Sequence, residues 1–284
     1  EILGGSASFL ATAASYFTPV RMVGVVGSDF PESHLNFFSS RGIDTRGVAR
    51  IPGRSFRWRG YYDTNLGIAH TLETQLNVLT QFEARVPEEF RDSEVVALGN
   101  IAPELQSRIL DQLTGPRLVA ADTMNYWIER ENRALRNTLA RVDILLVNEN
   151  EARQLSGEYN ILRAAEAIRG MGPKILIIKR GEHGATLVYE DGVFMAPAYP
   201  IATIRDPTGA GDSFAGGMMG LISRMASEKP TDLRRAVVMG STLASYAVED
   251  FSLDRFLTLT REQILTRFSE FKQLTDFDAA GLDQ

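Results

Sequence analysis

The chain has 284 residues, a formal net charge of −6 and no cysteine. It is long enough to bury a large core as one big domain or two small ones, it has no basic excess with which to hold nucleic acid or an anionic membrane, and without cysteine it can form neither disulfides nor thiolate metal sites. Its three histidines, His34, His70 and His183, are never i,i+4, which argues against a histidine metal site, and no apolar run is long enough to span a bilayer. The lack of disulfides fits a reducing compartment, so a cytoplasmic location is expected.

Small, apolar and polar residues at helical spacing predict a helix over 6–17, and VRMVGVVG (20–27) predicts a buried strand. PESHLNFFSSRG (31–42) predicts a helix that starts at proline and ends at glycine. Between 54 and 78 the pattern changes to period two, with Phe56, Trp58, Gly60 and Tyr62 on one face and Arg57, Arg59 and Tyr61 on the other. That alternation predicts a half-exposed antiparallel flap inserted in a larger domain. From 94 onward strands and helices alternate. EVVALG (94–99), RLVAAD (117–122) and DILLVN (143–148) are each followed by a helix, and KILIIKRG (174–181) leads into a hairpin over 184–197 with Asp191-Gly192 at its turn. Two helices follow, GAGDSFAGGMMGLISRM and DLRRAVVMGSTLASYAV, and then a polar tail from about Lys272 that is expected to be loose. This order predicts a mostly parallel sheet covered on both faces, with ligands beyond the C-terminal strand ends.

RDPTGAGDSFAGGMMG (205–220) carries the strongest chemical signal. A helix N-terminus offers unpaired N–H groups and a positive dipole end, and glycines let a phosphate approach them. Asp212 would share that site with the anion, which is repulsive unless a carboxylate is needed to take the proton of an attacking hydroxyl. The alternative is an ordinary acidic residue in a first helical turn. No G-x-x-x-x-G-K-[ST] occurs, and GAGDSF lacks the third glycine of a dinucleotide fingerprint.

DPTGAGDSFAGGMM closely resembles the C-terminal signature of the ribokinase-like, or PfkB, family of carbohydrate and nucleoside kinases, and further family features recur in order along essentially the whole chain. The resemblance implies a single three-layer ribokinase-like α/β domain over 1–284, with a mostly parallel central sheet, helices on both faces and an inserted β-lid over 52–78. It implies Asp212 as catalytic base and the backbone of Gly209, Ala210 and Gly211 as anion hole. NENE (148–151) is similar to the family's N-x-x-E motif, so Asn148 and Glu151 would organise the magnesium of ATP through water; by its residues alone the same stretch is a capped helix start. KRGEHG (179–184) resembles the nucleotide-contacting K-x-G-x-x-G turn, which assigns Lys179, Gly181 and Gly184 to ATP. Asp206 and Thr208 fall where many members bind an activating monovalent cation, with potassium the expected ion and VEDFS (248–252) the other half of the site. Asp206 alternatively braces the turn before Pro207. Thr208, Ser241, Ala244 and Val248 would border the nucleotide, the last three otherwise being core helix residues.

Gly4 and Gly5 resemble the sugar-binding glycine pair, and Asn100 falls at a polar substrate position, or is a strand-end cap. Phe9 stands where many members carry Asn, which removes one expected polar contact. The family's first strand and its substrate-binding Asp would lie upstream of Glu1. In the lid, Phe56, Trp58 or Tyr62 would cover the acceptor or form a lid–lid interface in a homodimer. The leading expectation is an ATP-dependent kinase acting on a primary hydroxyl of a sugar. The alternatives are a nucleoside kinase of the adenosine or cytidine type and a non-catalytic regulator that binds nucleotide or sugar. Arg57 and Arg59 keep a phosphorylated acceptor open.

Overall fold

The computed structural model describes residues 1–63, 69–225 and 228–276. In chain order the first elements are α1 (Ser6–Ala14), β1 (Val20–Gly27), α2 (Glu32–Ser40), β2 (Ile43–Ile51), β3 (Arg57–Tyr62) and β4 (Ala69–Gln75). The central part holds β5 (Val95–Leu98), α3 (Pro103–Leu110), β6 (Leu118–Asp122), α4 (Asn125–Arg130), α5 (Asn132–Leu139), β7 (Ile144–Asn148), α6 (Glu149–Ser156), α7 (Ile161–Arg169), β8 (Ile175–Lys179), β9 (Ala185–Tyr189) and β10 (Gly192–Ala196). It closes with α8 (Ala210–Ile222), α9 (Pro230–Ala247), α10 (Asp254–Thr258) and α11 (Arg261–Thr275).

Strands β5 to β10 form one sheet in sequential order. β5, β6, β7 and β8 are parallel, and β9 and β10 continue the sheet antiparallel. Because each strand is added beside the last in one direction, crossovers of one hand put α3–α7 on the same face. Period-two alternation sorts the strand residues accordingly. Val119, Ala121, Leu145, Val147, Leu176 and Ile178 pack toward Leu135, Leu139, Ala165 and Ile168. Leu118, Ala120, Ile144, Leu146 and Ile177 pack toward Phe214, Met218, Ala236 and Val237 of α8 and α9. The three layers are therefore helix, sheet and helix. A further core joins α1, α2 and β1 to α9–α11 through Phe9, Phe38, Leu243, Tyr246 and Phe256.

Helices α1 and α8 touch backbone to backbone. A Cβ on Gly216 would lie 2.2 Å from Leu10 O, and one on Gly220 would lie 2.9 Å from Ala14 Cα. The two helices thus run side by side in parallel and in register, and their N-termini meet at the same edge of the sheet.

Three expectations change. β1 is not a buried strand of the main sheet: it pairs in parallel with β2 in a separate sheet, and with only one neighbour most of it stays half-buried. β2 itself, IDTRGVARI, mixes charge and glycine and carried no clear strand signal. In the β9–β10 hairpin the two loop residues are Glu190 and Asp191, and Gly192 is already paired with Tyr189. The expected flap is the antiparallel β3–β4 pair. Its residues 64–68 lie outside the described residues, as does the tail beyond 276; from Lys272 to Thr275 the chain is still helical.

Candidate active site

The parallel strands deliver polar residues to one edge. Asp122, Asn148 and Lys179 are the last residues of β6, β7 and β8, and Asn100 follows β5. These residues, with Gly5, Ser6, Phe9, Phe56, Glu151, Thr208, Gly209, Gly211 and Asp212, line a cleft of about 310 Å³. A larger groove, about 530 Å³, is lined by residues of α3, α4 and α5, and its lining contains none of the motif residues.

The N-terminus of α8 forms the floor of the cleft. Gly209 caps it in the left-handed region, φ 78°, and a Cβ there would lie 2.4 Å from the ring of Phe9. The position therefore demands glycine twice, by backbone conformation and by the aromatic ring beneath it. Phe9 is 1 % exposed and supports the turn, which is the use this chain makes of the position where the resemblance implies Asn. Ala210 N–H, expected among the anion-hole donors, is bonded to Pro207 O at 3.2 Å, and the Ser213 N–H closes the first helical turn on Gly209 O at 2.8 Å. The backbone N–H groups left without a protein acceptor among the described residues are those of Gly209, Gly211 and Asp212. They are the free donors of a helix start.

Asp212 lies among these donors and accepts a hydrogen bond from the Ser6 hydroxyl. Burial, reinforced by the Asp122 carboxylate, pushes its carboxyl up to about 6, against the lowering effects of Ser6 and Lys179. Lys179 Nζ is 2.8 Å from Asp122 Oδ2 and would be 3.1 Å from a Cβ on Gly211, so glycine at 211 makes room for the ammonium. Burial works against the charge of Lys179, but Asp122, Glu151 and Asp212 outweigh it and hold its pKa above the usual lysine value. The cleft thus gathers three carboxylates around one ammonium. That balance suits a bound group which brings further positive charge together with phosphates.

Asn148 and Glu151 form a capping box: the Asn148 side chain accepts from Glu151 N–H, and Glu151 accepts from Asn148 N–H, both at 2.8 Å. They also line the cleft. Burial raises the Glu151 carboxyl to about 7, with Lys179 opposing. No group of three or more His, Cys, Asp or Glu converges to hold an ion directly among the described residues. Asp206 braces its own turn, accepting from Thr208 N–H at 2.9 Å, and the VEDFS segment touches this loop where Arg205 N–H donates to Val248 O at 2.8 Å. Gly181 and Gly184 shape the turn after β8; a Cβ on Gly184, φ 84°, would lie 2.0 Å from Ala196 O. Neither belongs to the cleft lining, and Arg180 in that turn is held by Glu149 at 2.7 Å. Ser241 and Ala244 on α9 and Val248 at its C-cap fall on one stripe at i, i+3 and i+7, outside the cleft lining.

Of the glycine pair, Gly5 lines the cleft and caps α1, whereas Gly4 stands outside it. Asn100 lines the cleft, but its carboxamide is engaged: Oδ1 accepts from Trp127 Nε1 at 2.8 Å and Nδ2 approaches Met124 Sδ at 3.2 Å. The lid aromatics divide. Phe56 faces the cleft. Tyr62 shares a 3.1 Å hydrogen bond with the Thr208 hydroxyl. Trp58 covers Gly60 and donates to Thr71 at 3.0 Å. Arg57 pairs with Glu1 and Asp29, and Arg59 lies 3.9 Å from Glu73. Neither arginine lines the cleft, which removes the argument for a phosphorylated acceptor. Sequence reasoning missed Ser6 and Asp122, both of which line the cleft. The position of Asp122 at the end of an apolar strand, as AAD, was the available signal.

The family model described as pfkB family carbohydrate kinase matches residues 2–258. A cytidine kinase of Thermococcus kodakarensis is 35 % identical over 228 residues, covering 78 % of this chain and 80 % of that protein. A Burkholderia thailandensis nucleoside kinase, solved with inosine, superposes with a TM-score of 0.75 at 22 % identity, over 94 % of this chain and 87 % of that one. An E. coli protein described as a ribokinase II, solved with ATP and magnesium, superposes with a TM-score of 0.74 at 21 % identity, over 96 % and 89 %.

Proposed function

The chain belongs to the PfkB family of carbohydrate kinases and is a phosphotransferase with an alcohol group as acceptor; from that premise we propose that it transfers the γ-phosphoryl group of ATP to the primary hydroxyl of a nucleoside. The observation that carries the acceptor class is the 35 % identity to a cytidine kinase across most of both chains. The cleft supports it: Phe56 gives it aromatic surface, and no arginine stands among its described lining residues. A free sugar is the second reading, favoured by the E. coli ribokinase II likeness in fold.

In this mechanism the Asp212 carboxylate takes the proton of the acceptor hydroxyl. The hydroxyl oxygen forms a bond to the γ-phosphorus, and the bond from that phosphorus to the bridging oxygen breaks, releasing ADP. The N–H groups of Gly209, Gly211 and Asp212 stabilise charge on the transferring group, and their positions are preset by the helix start. Lys179 leaves part of its attraction to Asp122 for a phosphate oxygen. Asn148 and Glu151 are the residues that would hold magnesium through water, and the ion would supply charge neutralisation on the phosphates. Thr208, the neighbour of the anion-hole donors, is tied to the lid through Tyr62.

The same reading includes potassium beside Asp206 and Thr208, ATP along the Ser241–Ala244–Val248 stripe, and a homodimer through the lid, where Trp58 and Tyr61 are exposed. No helix among the described residues is long and apolar enough to cross a membrane. The test is a turnover screen with magnesium and ATP over nucleosides and free sugars, following ADP. Turnover of a nucleoside with kcat/KM above that of every sugar is expected. A sugar preferred over all nucleosides would replace the acceptor class, and ADP release without an acceptor would reject the transfer reading.

A further inference from the structure

Ser6 is the first residue of α1, and its hydroxyl stands between two groups from distant parts of the chain. It accepts from the Asn100 backbone N–H at 3.3 Å and donates to Asp212 Oδ1. A hydroxyl has one proton. With the Asn100 N–H on its lone-pair side, that proton is directed to the carboxylate. The second oxygen of Asp212, Oδ2, has no hydrogen-bond partner in the protein among the described residues. One oxygen is therefore held while the other is left for an acceptor's proton.

Two further observations show that this place is built. Ser6 and Asp212 are 206 residues apart, the same offset as the backbone contacts Leu10 with Gly216 and Ala14 with Gly220. The Ser6–Asp212 bond is thus the first rung of a ladder whose register is set by glycines on α8. In addition, a Cβ on Gly99 would lie 2.9 Å from Ser6 Oγ, so glycine after β5 leaves the hydroxyl its room.

We propose that Ser6 is a positioning residue for Asp212, with its hydroxyl, aimed by the Asn100 N–H, fixing the carboxylate rotamer and favouring the ionised form. Its catalytic consequence rests on Asp212 being the base. The other groups that act on Asp212 are Asp122 from β6 and Lys179 from β8. Tyr62 faces it from the lid, and Glu151 acts indirectly through Lys179. A substitution at Ser6 leaves all four in place, so its effect is separable from theirs.

The test uses Ser6→Ala, Ser6→Thr and Gly99→Ala, with folding checked by circular dichroism. Two readouts are taken: the titration midpoint of the Asp212 carboxyl by NMR, assigned with Asp212→Asn, and the acid limb of kcat against pH. In Ser6→Ala the midpoint should rise by about one pH unit, since a hydrogen bond to a charged group is of that order. The kcat limb should move with it and plateau kcat should fall about tenfold, with KM for ATP little changed. Ser6→Thr should restore both. Gly99→Ala, which displaces the hydroxyl without deleting it, should shift the midpoint in the same direction and serves if Ser6→Ala does not fold. An unmoved midpoint in a folded Ser6→Ala overturns the proposal, as does failure of a folded Ser6→Thr to restore it. A moved midpoint with an unmoved kcat limb upholds the Ser6–Asp212 coupling and rejects Asp212 as base.

Discussion

Asp212→Asn should abolish turnover and stabilise the protein at the same time. The carboxyl is held at about 6 instead of its ordinary 3.8, chiefly by burial. The folded state therefore binds its proton more tightly than the unfolded state does. Stability from this group is fully present below the unfolded pKa, is lost as pH rises from about 4 to about 6, and stays lost above that. A displacement of roughly two pH units corresponds to about 3 kcal/mol at neutral pH. Asparagine mimics the protonated form and can still accept from Ser6, so the variant should recover most of this amount. For 284 residues the unfolding entropy is about 0.6 kcal/mol per kelvin, which converts the gain to a Tm rise of about 5 °C. The assay is thermal unfolding of both proteins at matched ionic strength across this pH range. The Tm difference should grow from near zero at about pH 4 to its full value above about pH 6, while kcat falls by roughly a hundred- to ten-thousand-fold. A variant no more stable than the parent at neutral pH, or one that turns over normally, would refute the reasoning.

Gly209→Ala should cost about 3 kcal/mol, combining the left-handed backbone with overpacking against Phe9, and should lower kcat more than it raises the acceptor KM; urea titration and steady-state kinetics check both. Asp122→Asn removes a negative charge beside Asp212 and frees Lys179, so the acid limb of kcat should move to lower pH, opposite in sign to Ser6→Ala; an upward shift would contradict the assigned electrostatics. If a monovalent ion orders the Asp206–Thr208 turn, potassium should raise turnover above sodium at fixed ionic strength and Asp206→Ala should erase the difference; equal rates would leave Asp206 as the turn brace seen in its bond to Thr208.

The strand–helix order of the central sheet was legible because β6, β7 and β8 are continuous apolar runs, four of five residues buried or more. The position of Asp212 was legible because glycine, acid and a small-residue helix follow one another locally. What escaped was long-range. Asp122 meets Lys179 only because β7 spaces β6 from β8 in parallel register, and Ser6 meets Asp212 only because α1 packs on α8. The β2 strand was hidden by its half-exposed mixture of charge and glycine. The faces of the lid blur because a register shift between Arg59 and Gly60 breaks the alternation.

The most direct measurement is the product of a stoichiometric reaction of ATP, magnesium and cytidine or inosine, identified by phosphorus NMR and mass spectrometry. The expected result is a nucleoside monophosphate bearing the phosphate on the primary hydroxyl oxygen, formed one-to-one with ADP, and formed at least about a hundredfold more slowly with Asp212→Asn. Phosphate on a secondary hydroxyl, free phosphate in place of nucleotide product, or the same product formed at the parent's rate by the Asp212→Asn variant would contradict it.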